Sequence, residues 1–299
     1  MSKQKLVGIV CHDAGGAEVV SSYVNRNNLT AEYYLKGPAI SIFERKLGIT
    51  KNSDSLFDLV KNSDWLLCGS GWQSDLEWSL IQEAKKQGKK VISFLDHWVH
   101  YQERFTRNNN KYLPDEIWVG DAYAEKIAKK NFPDSTIKFV ENPYFLDIKK
   151  NLLEFKKSNR VQAKLNSVLY ICDPIREYAY LQHGDENYWG YTEESALQYF
   201  LSNTDHELFS NKSIVIRPHP SETPGKYHWV HAYYGKQIEI NNNKSLIHHI
   251  LNSEIVVGCE SMAMVVALMA GKKVISCIPK GGKPCVLPYK EIKIMKDLM

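Results

Sequence analysis

Short apolar runs alternate with helix-length amphipathic segments from the start of the chain, and this rhythm limits the possible folds most strongly. Such alternation is typical of parallel sheets with helices packed on their faces. The strand-like runs of the first half are Leu6–Cys11, Ala31–Leu35, Trp65–Cys68, Val91–Leu95, Ile117–Val119 and Ile137–Val140. The segments predicted as helices are Ala17–Asn25, Ser53–Lys61, Ser74–Gln87 and Ala122–Lys130. The pattern predicts a doubly wound α/β layer.

The pattern stops at Glu141–Tyr144 and restarts after a charged stretch without core residues at 149–164, which resembles a linker or an exposed helix. The later strand-like runs are Ser167–Cys172, Ser213–Ile216, Gln237–Ile240, Glu254–Val257 and Lys273–Cys277. We therefore predict two α/β domains, 1–150 and 151–299. The polar and aromatic segment between Asp173 and Thr192 breaks the second pattern and is a candidate functional loop.

Charge and cysteine usage exclude several classes of protein. The six cysteines are scattered without a Cys-x-x-Cys pair, which argues against a zinc cage or a disulfide framework and favours a reducing cytoplasm. The longest apolar run, Met262–Ala270, has nine residues, whereas a membrane span needs about 20. The chain lacks a basic stripe with stacking aromatics, so nucleic acid is not an expected partner.

The positive charge is concentrated at the C-terminus. Residues 272–299 contain seven lysines against Glu291 and Asp297, whereas the net charge of the whole chain is +4. This end could be a solvated lysine face, or it could contact an anionic membrane peripherally.

Two polar clusters follow predicted strands of the second domain. Arg217-Pro218-His219-Pro220-Ser221-Glu222 follows one strand, and Gly258-Cys259-Glu260-Ser261 precedes an apolar helix. The two prolines restrict the backbone around His219, and a helix beginning near Ser261 presents free N–H groups to an anion. The two clusters predict a phosphate site, although a rigid turn and a simple helix cap would also explain them.

These two motifs, with the strand Gly-Lys-Lys-Val-Ile-Ser that follows the helix, resemble the donor-binding domain of GT-B glycosyltransferases, particularly bacterial sialyltransferases and related CMP-nonulosonate or Kdo transferases. The resemblance implies two Rossmann-like domains facing each other across a cleft, the first binding the acceptor and the second the nucleotide-sugar donor. It also implies that His219 and Ser261 hold the donor phosphate and that Pro220 fixes His219. Many members have two serines where this chain has Glu260-Ser261, which leaves the nucleotide open.

Other residues of the second domain are candidates for the same nucleotide site. Arg217 adds a cation two residues before His219, and Arg176 follows Asp173 at the end of the domain's first strand. A guanidinium suits phosphate recognition. Glu260 could accept hydrogen bonds from a ribose or base, or it could favour the helix dipole.

In the first domain, His12-Asp13-Ala14-Gly15-Gly16 follows the first strand. Two adjacent glycines allow a ligand to approach the backbone closely, so His12, Gly15 and Gly16 are expected to contact substrate. An inverting transferase needs a base for the acceptor hydroxyl, and members of the family place an acidic residue in this domain. Asp13 is the first candidate for the base, but it could instead cap the next helix.

A second cluster, Asp96-His97-Trp98, follows another strand of the first domain. Asp96 with His97 is the alternative catalytic pair, and the Trp98 ring is a candidate for packing against a sugar. His97 and His100 have a spacing that a metal could use, but no third ligand is evident, so we predict no metal and no cofactor.

The sequence thus predicts a metal-independent enzyme that moves a nonulosonic acid from a CMP donor onto a glycan or lipid-linked glycan precursor. Two alternatives remain open at this point. One is a UDP-sugar epimerase or hydrolase of the same fold, and the other is a non-catalytic module that binds a glycan or nucleotide.

Overall fold

The computed structural model describes residues 5–158, 166–234 and 238–299. The chain divides into two compact units, Met1–Asp147 and Ile148–Met299. Each unit contains one six-stranded sheet in which all neighbouring strands are parallel.

The strands of the first unit are β1 (Val7–Cys11), β2 (Ala31–Leu35), β3 (Trp65–Cys68), β4 (Val91–Leu95), β5 (Thr106–Arg107), β6 (Asn110–Lys111), β7 (Glu116–Val119) and β8 (Ile137–Phe139). The sheet has the order β2-β1-β3-β4-β7-β8. Its first strand therefore lies between the second and the third. Successive strands are added on one side of β1 and then on the other, so the strand order switches between β1 and β3. Such a switch point opens a crevice at the carboxyl edge where ligands bind in α/β sheets.

Its helices are α1 (Ala14–Arg26), α2 (Pro38–Leu47), α3 (Leu56–Asn62), α4 (Leu76–Lys86) and α5 (Ala122–Asn131). Their starts follow ordinary capping chemistry. Ser55 and Asp121 accept hydrogen bonds from backbone N–H groups in the first turns of α3 and α5, and Pro38 opens α2, where its missing N–H costs nothing.

The second unit has the strands β9 (Ser167–Ile171), β10 (Ser213–Arg217), β11 (Ile238–Ile240), β12 (Ile255–Gly258), β13 (Lys273–Ser276) and β14 (Ile292–Ile294), and the helices α7 (Ile175–His183), α8 (Glu193–Leu201), α9 (Trp229–Tyr234), α10 (Leu246–Leu251) and α11 (Met262–Met269). A further helix, α6 (Pro143–Ser158), begins before the division at Asp147 and continues past it. The sheet order is β11-β10-β9-β12-β13-β14. This is the Rossmann strand order, with its switch point between β9 and β12.

The two sheets each support their own hydrophobic core. All five residues of β1, of β4 and of β9 are buried, as expected for central parallel strands covered on both faces. In the second unit, Tyr170, Phe200 and Phe209 are almost completely buried and pack as a group of rings.

The structure confirms the predicted α/β class and most strand positions. It corrects several helices: α1 begins at Ala14, three residues before the predicted start, α2 was not predicted at all, and α4 begins at Leu76 rather than at a Ser74 cap. Asn108 and Asn109 form the turn of the β5–β6 hairpin, with φ of 47° and 61°. The described part of the charged stretch at 149–164 belongs to α6, whereas 159–165 and Gln237 lie outside the described residues.

Candidate active site

In the first unit, the loops after β1, β3 and β4 meet at the carboxyl edge of the sheet. A methyl group on Gly15 would overlap Asp96 Oδ2, and one on Gly71 would lie 2.7 Å from Asp13 Oδ1. A methyl group on Gly16 would lie 3.0 Å from the Cα of Gly69. The sequence therefore folds with glycines where three loops press together, and this close packing brings Asp13 and Asp96 into one cluster at the switch point.

Asp13 combines the two roles that the sequence left open. Its Oδ2 atom accepts a hydrogen bond from the Gly16 N–H at 3.4 Å and caps α1. The other oxygen, Oδ1, is buried and has no hydrogen-bond partner within the described residues. Burial, followed by the nearby Asp96 carboxylate, raises the pKa of Asp13 to about 6, while the Arg104 cation opposes the rise. This is the range in which a carboxylate can act as a general base near neutral pH.

Asp96 is held by a buried cation. Arg104 Nη1 lies 2.7 Å from Asp96 Oδ1 and also donates to the carbonyl oxygen and hydroxyl of Ser70. The side chains of Arg104 and Asp96 are 4% and 8% exposed. Removal of one partner from an ion pair this well buried strongly destabilises the fold. Asp96 therefore has a structural role, because its pair with Arg104 joins the loops after β3 and β4.

The neighbouring predicted residues lie around this cluster. The His12 ring packs over Gly37, because a methyl group on Gly37 would lie 2.8 Å from His12 Nε2. The ring centroids of His97 and Trp98 are 5.2 Å apart. Trp98 is only 5% exposed, and its indole N–H donates to Asp121 at 3.0 Å. Little of the Trp98 ring is thus open to a sugar, and the substrate-binding roles of His12, Gly15, Gly16 and Trp98 remain predictions.

Glu77 is a member of the cluster that sequence reasoning missed. It lies in the first turn of α4, is 1% exposed, and accepts a hydrogen bond from the His12 N–H at 2.7 Å through Oε1. Burial, followed by the Asp13 charge, raises the pKa of Glu77 to about 8. The sequence could have indicated its burial, because Glu77 precedes Leu80 by three residues and Ile81 by four. This spacing places the acid on the apolar face of the helix.

In the second unit, the loop after β10 fixes His219 firmly. Glu222 accepts hydrogen bonds from the His219 N–H at 2.8 Å, from Lys226 Nζ at 2.9 Å and from the Tyr227 hydroxyl at 2.6 Å. The Ser221 N–H donates to His219 Nδ1 at 3.2 Å. Nδ1 is therefore the acceptor of the ring, which leaves the proton on Nε2. Burial lowers the pKa of His219, so the ring is a neutral Nε2–H donor.

Ser261 and Asp173 come together on the other side of β9. Ser261 caps α11 by accepting a hydrogen bond from the Ala263 N–H at 3.3 Å. The pKa of Asp173 is raised to about 7, mainly by burial. A hydrogen bond from the Ser261 hydroxyl lowers the pKa, and the negative charges of Glu260 and Glu222 raise it further. Asp173 Oδ2 is buried without a hydrogen-bond partner in the parts of the chain that the structure describes. A carboxyl group that titrates near neutrality thus lies beside the predicted phosphate ligand.

The other predicted nucleotide residues are already engaged by protein groups. Arg217 donates to the Lys244 carbonyl at 2.7 Å and contacts His249. Arg176 pairs with Glu193 at 3.1 Å and with Glu194 at 2.8 Å. These contacts do not bring either arginine to His219 or Ser261, and their phosphate-binding role stays a prediction.

Glu260 is likewise engaged. It pairs with Lys283 at 2.6 Å and accepts from the Val286 N–H, so it anchors the loop after β13. Lys283 in turn lies over the Trp189 ring at 4.1 Å. A ribose-binding role for Glu260 would have to share the carboxylate with these partners.

The side chains and helices of the described residues bear on metal binding and on membrane contact. No group of three or more His, Cys, Asp or Glu side chains there has the arrangement of a metal site. None of the described helices combines the length and apolar character that a bilayer-spanning helix needs. In the lysine-rich C-terminus, Lys272 and Lys283 are bound to protein groups, while Lys280, Lys290, Lys293 and Lys296 are exposed. Peripheral membrane contact stays a prediction.

The fold is shared with solved structures of enzymes that act on sugars. The UDP-GlcNAc 2-epimerase from Neisseria meningitidis, bound to UDP-GlcNAc, is 12% identical with a TM-score of 0.60 over 91% of this chain and 82% of that chain. The UDP-GlcNAc 2-epimerase from Methanocaldococcus jannaschii is 11% identical, with a TM-score of 0.57 over 91% and 83%. An α/β-galactoside α-2,3-sialyltransferase from Photobacterium phosphoreum is 10% identical, with a TM-score of 0.50 over 99% and 100%.

No protein-family model matches the sequence, and neither does any curated protein. At identities this low, the structural likeness establishes the fold alone. The chain has the GT-B fold, as its sequence predicted.

Proposed function

We propose that this protein is a glycosyltransferase that moves a sugar from a nucleotide-activated donor to a glycan acceptor. The proposed donor is a CMP-activated nonulosonic acid, and the proposed acceptor is a bacterial surface-glycan precursor. The observation that carries the proposal is the His219 ring, which is held by Glu222 and Ser221 with Nε2–H available as a donor. Such a fixed neutral donor at the carboxyl edge of a Rossmann sheet suits a departing phosphate.

In the proposed reaction, the bond between the anomeric carbon and a phosphate oxygen breaks, and its electron pair leaves with the nucleotide. His219 Nε2–H and the N-terminal end of α11 stabilise the negative charge of that phosphate. The Ser261 hydroxyl adds to this by turning its one hydrogen from Asp173 to the phosphate. Donors that are already oriented before the reaction cost no reorganisation, and the loss of one commonly lowers the rate by about 10²- to 10³-fold. This requires no metal ion.

The acceptor hydroxyl forms the new bond to the anomeric carbon and gives its proton to a base. We assign this role to Asp13 rather than to Asp96 with His97. Asp96 is paired with Arg104 at 2.7 Å, whereas Asp13 is held by a long contact from the Gly16 N–H at 3.4 Å and keeps lone pairs for a proton. Transfer with inversion uses this base, whereas retention needs none, and the anomeric configuration of the product distinguishes them.

Calorimetric titration of the intact protein with CMP, CDP, UDP and GDP tests the donor class. The proposal expects CMP to bind most tightly, and turnover to require both a CMP-nonulosonate and a glycan acceptor. Preference for UDP would refute the CMP assignment. Binding of glycan with no turnover of any activated sugar would instead favour a non-catalytic module.

A UDP-sugar epimerase is the second candidate. Its support is the pair of buried carboxyl groups with raised pKa values, Asp13 and Glu77. Inversion at a sugar carbon that carries a hydrogen requires groups that remove and return a proton. Turnover of UDP-GlcNAc in the absence of any acceptor would establish this candidate and exclude the transferase.

A further inference from the structure

Glu77 has no part in the proposed sugar transfer, yet it is among the most buried charged residues of the first unit, at 1% exposed. It belongs to α4, which packs against β1 and β4. Its Oε1 atom accepts the His12 N–H at 2.7 Å and so holds the loop that carries Asp13. A buried acid that binds the residue next to the proposed base is well placed to act on that base.

The free oxygens of Glu77 and Asp13 face the same small space. A methyl group on Gly71 would lie 3.2 Å from Glu77 Oε2 and 2.7 Å from Asp13 Oδ1. Neither oxygen has a hydrogen-bond partner among the described residues. Two buried carboxyl oxygens without donors would both be costly, unless one of the two groups carries a proton.

The charges around the pair favour one shared proton. Asp96 adds a second negative charge near both groups, and Arg104, a cation that acts on Asp13, is paired with Asp96 at 2.7 Å. The buried thiols of Cys11 and Cys68 also face the cluster. Glu77 keeps its proton to higher pH than Asp13, since their pKa values are raised to about 8 and about 6.

We propose that Glu77 and Asp13 hold one proton between them near neutral pH, and that Glu77 is thereby a positioning residue that orients Asp13 and keeps it ionised. The assignment of Asp13 as a base rests on the proposed function, whereas the shared proton does not. Protonated Glu77 supplies the hydrogen that Asp13 Oδ1 lacks. Asp13 Oδ2, whose contact to the Gly16 N–H is long at 3.4 Å, then supplies the lone pair that accepts the substrate proton.

The test is a ¹³C NMR titration of the side-chain carboxyl carbons in the intact protein, which needs no substrate. We expect Glu77 to titrate near pH 8 and Asp13 near pH 6. In the Asp13→Asn variant, the titration midpoint of Glu77 should fall by roughly one pH unit, because the negative charge beside it is gone while its burial stays. The matched control is Glu83→Gln, on the same helix, which should leave both midpoints in place. An unchanged Glu77 midpoint in Asp13→Asn would overturn the shared proton.

Activity supplies the second readout. Ionisation of Glu77 above about pH 8 removes the hydrogen that it gives Asp13, so the activity of the parent protein should decline there. Glu77→Gln keeps a donor for Asp13 and an acceptor for the His12 N–H, so it should retain at least about a tenth of the kcat/KM and should not show this decline. Glu77→Ala should lose about 100-fold in kcat/KM, the scale of a lost catalytic hydrogen bond. Equal loss in both variants would reduce Glu77 to a packing residue. Coupled titrations without any sugar transfer would uphold the proton pair and refute the proposed function alone.

Discussion

The two units place an aspartate at the same point of their folds and surround it differently. Asp13 follows β1 and Asp173 follows β9, each the first strand of its sheet and each beside the switch point. Burial is the largest cause of the raised pKa in both, to about 6 and about 7. Each also has a buried oxygen without a described partner. Topology and burial thus produce the same kind of carboxyl group twice.

The neighbours across the switch point differ. Next to Asp13, the loop after β3 contributes Gly71 and Ser70, and Ser70 joins the buried Asp96–Arg104 pair. Beside Asp173, the loop after β12 contributes the Ser261 hydroxyl and opens α11. Other carboxyl groups, with a cation that is paired to Asp96, suit proton transfer at Asp13. A hydroxyl and a helix N-terminus suit the binding of an anion. In both units the strand end supplies the titrating group, and the loop across from it decides the chemistry of that group.

The sharpest test of this division is Asp13→Asn, which keeps the size and the helix cap but removes the base. We expect kcat to fall about 10³-fold, within the range for a lost general base, while the dissociation constant for CMP stays within a factor of two. Steady-state rates and calorimetry measure the two quantities. The control is Asp54→Asn, an exposed residue of the same unit. Weakened CMP binding in Asp13→Asn would contradict the separation of roles.

His219→Ala is the complementary change in the second unit. Loss of the fixed Nε2–H donor should weaken CMP binding and lower kcat/KM by about 100-fold, as for removal of one oriented donor to a phosphate or oxyanion. His231→Ala, which removes an exposed histidine of α9, is the matched control and should behave as the parent protein. Unchanged CMP affinity in His219→Ala would break the assignment of the second unit to the donor.

The structural basis of the first cluster is tested by Gly15→Ala. The added methyl group would overlap Asp96 Oδ2, and Asp96 cannot move away without disturbing its pair with Arg104. We expect the free energy of unfolding to fall by about 1–3 kcal/mol, the usual cost of overpacking, as measured by denaturant titration. Ala14→Ser, at an exposed position one residue earlier, should cost far less. Equal stability of the two variants would show that the loops after β1 and β4 are loosely packed.

The strand positions could be predicted from the sequence because buried parallel strands are short, apolar and bounded by turns, as Val7–Cys11 and Ile255–Gly258 illustrate. The site loops could be located for the same reason, since they follow those strands. Contacts between loops could not be predicted: Arg104 reaches Asp96 through a turn in which His100 has a φ of 59°. α2 was missed because its start is set by Gly37 and Pro38 rather than by a polar cap.

The smallest expected effect concerns proton linkage at Asp173. Because its pKa in the folded protein is raised to about 7, the native state binds more protons than the unfolded state between roughly pH 4 and pH 7. Stability therefore falls as the pH rises through this window. Asp173→Asn should remove the contribution of one proton, about 1.4 kcal/mol per pH unit, from the pH dependence of the free energy of unfolding. Urea titrations at several pH values measure this dependence. Asp185→Asn, at an exposed position of the same segment, is the control and should leave the dependence unchanged.

The same proton connects Asp173 to the donor site. A phosphate held at Ser261 would repel an ionised Asp173, so CMP binding should be accompanied by proton uptake at pH 7. It should also weaken several-fold between about pH 6 and about pH 8, roughly one pH unit on either side of the raised pKa. The phosphate of CMP titrates too, at about pH 6, and comparison with Asp173→Asn cancels that contribution. Calorimetry in buffers of different ionisation enthalpy counts the protons. Equal proton uptake by the parent and Asp173→Asn would place the phosphate away from Asp173 and Ser261, and the likeness between the two switch points would then end at topology.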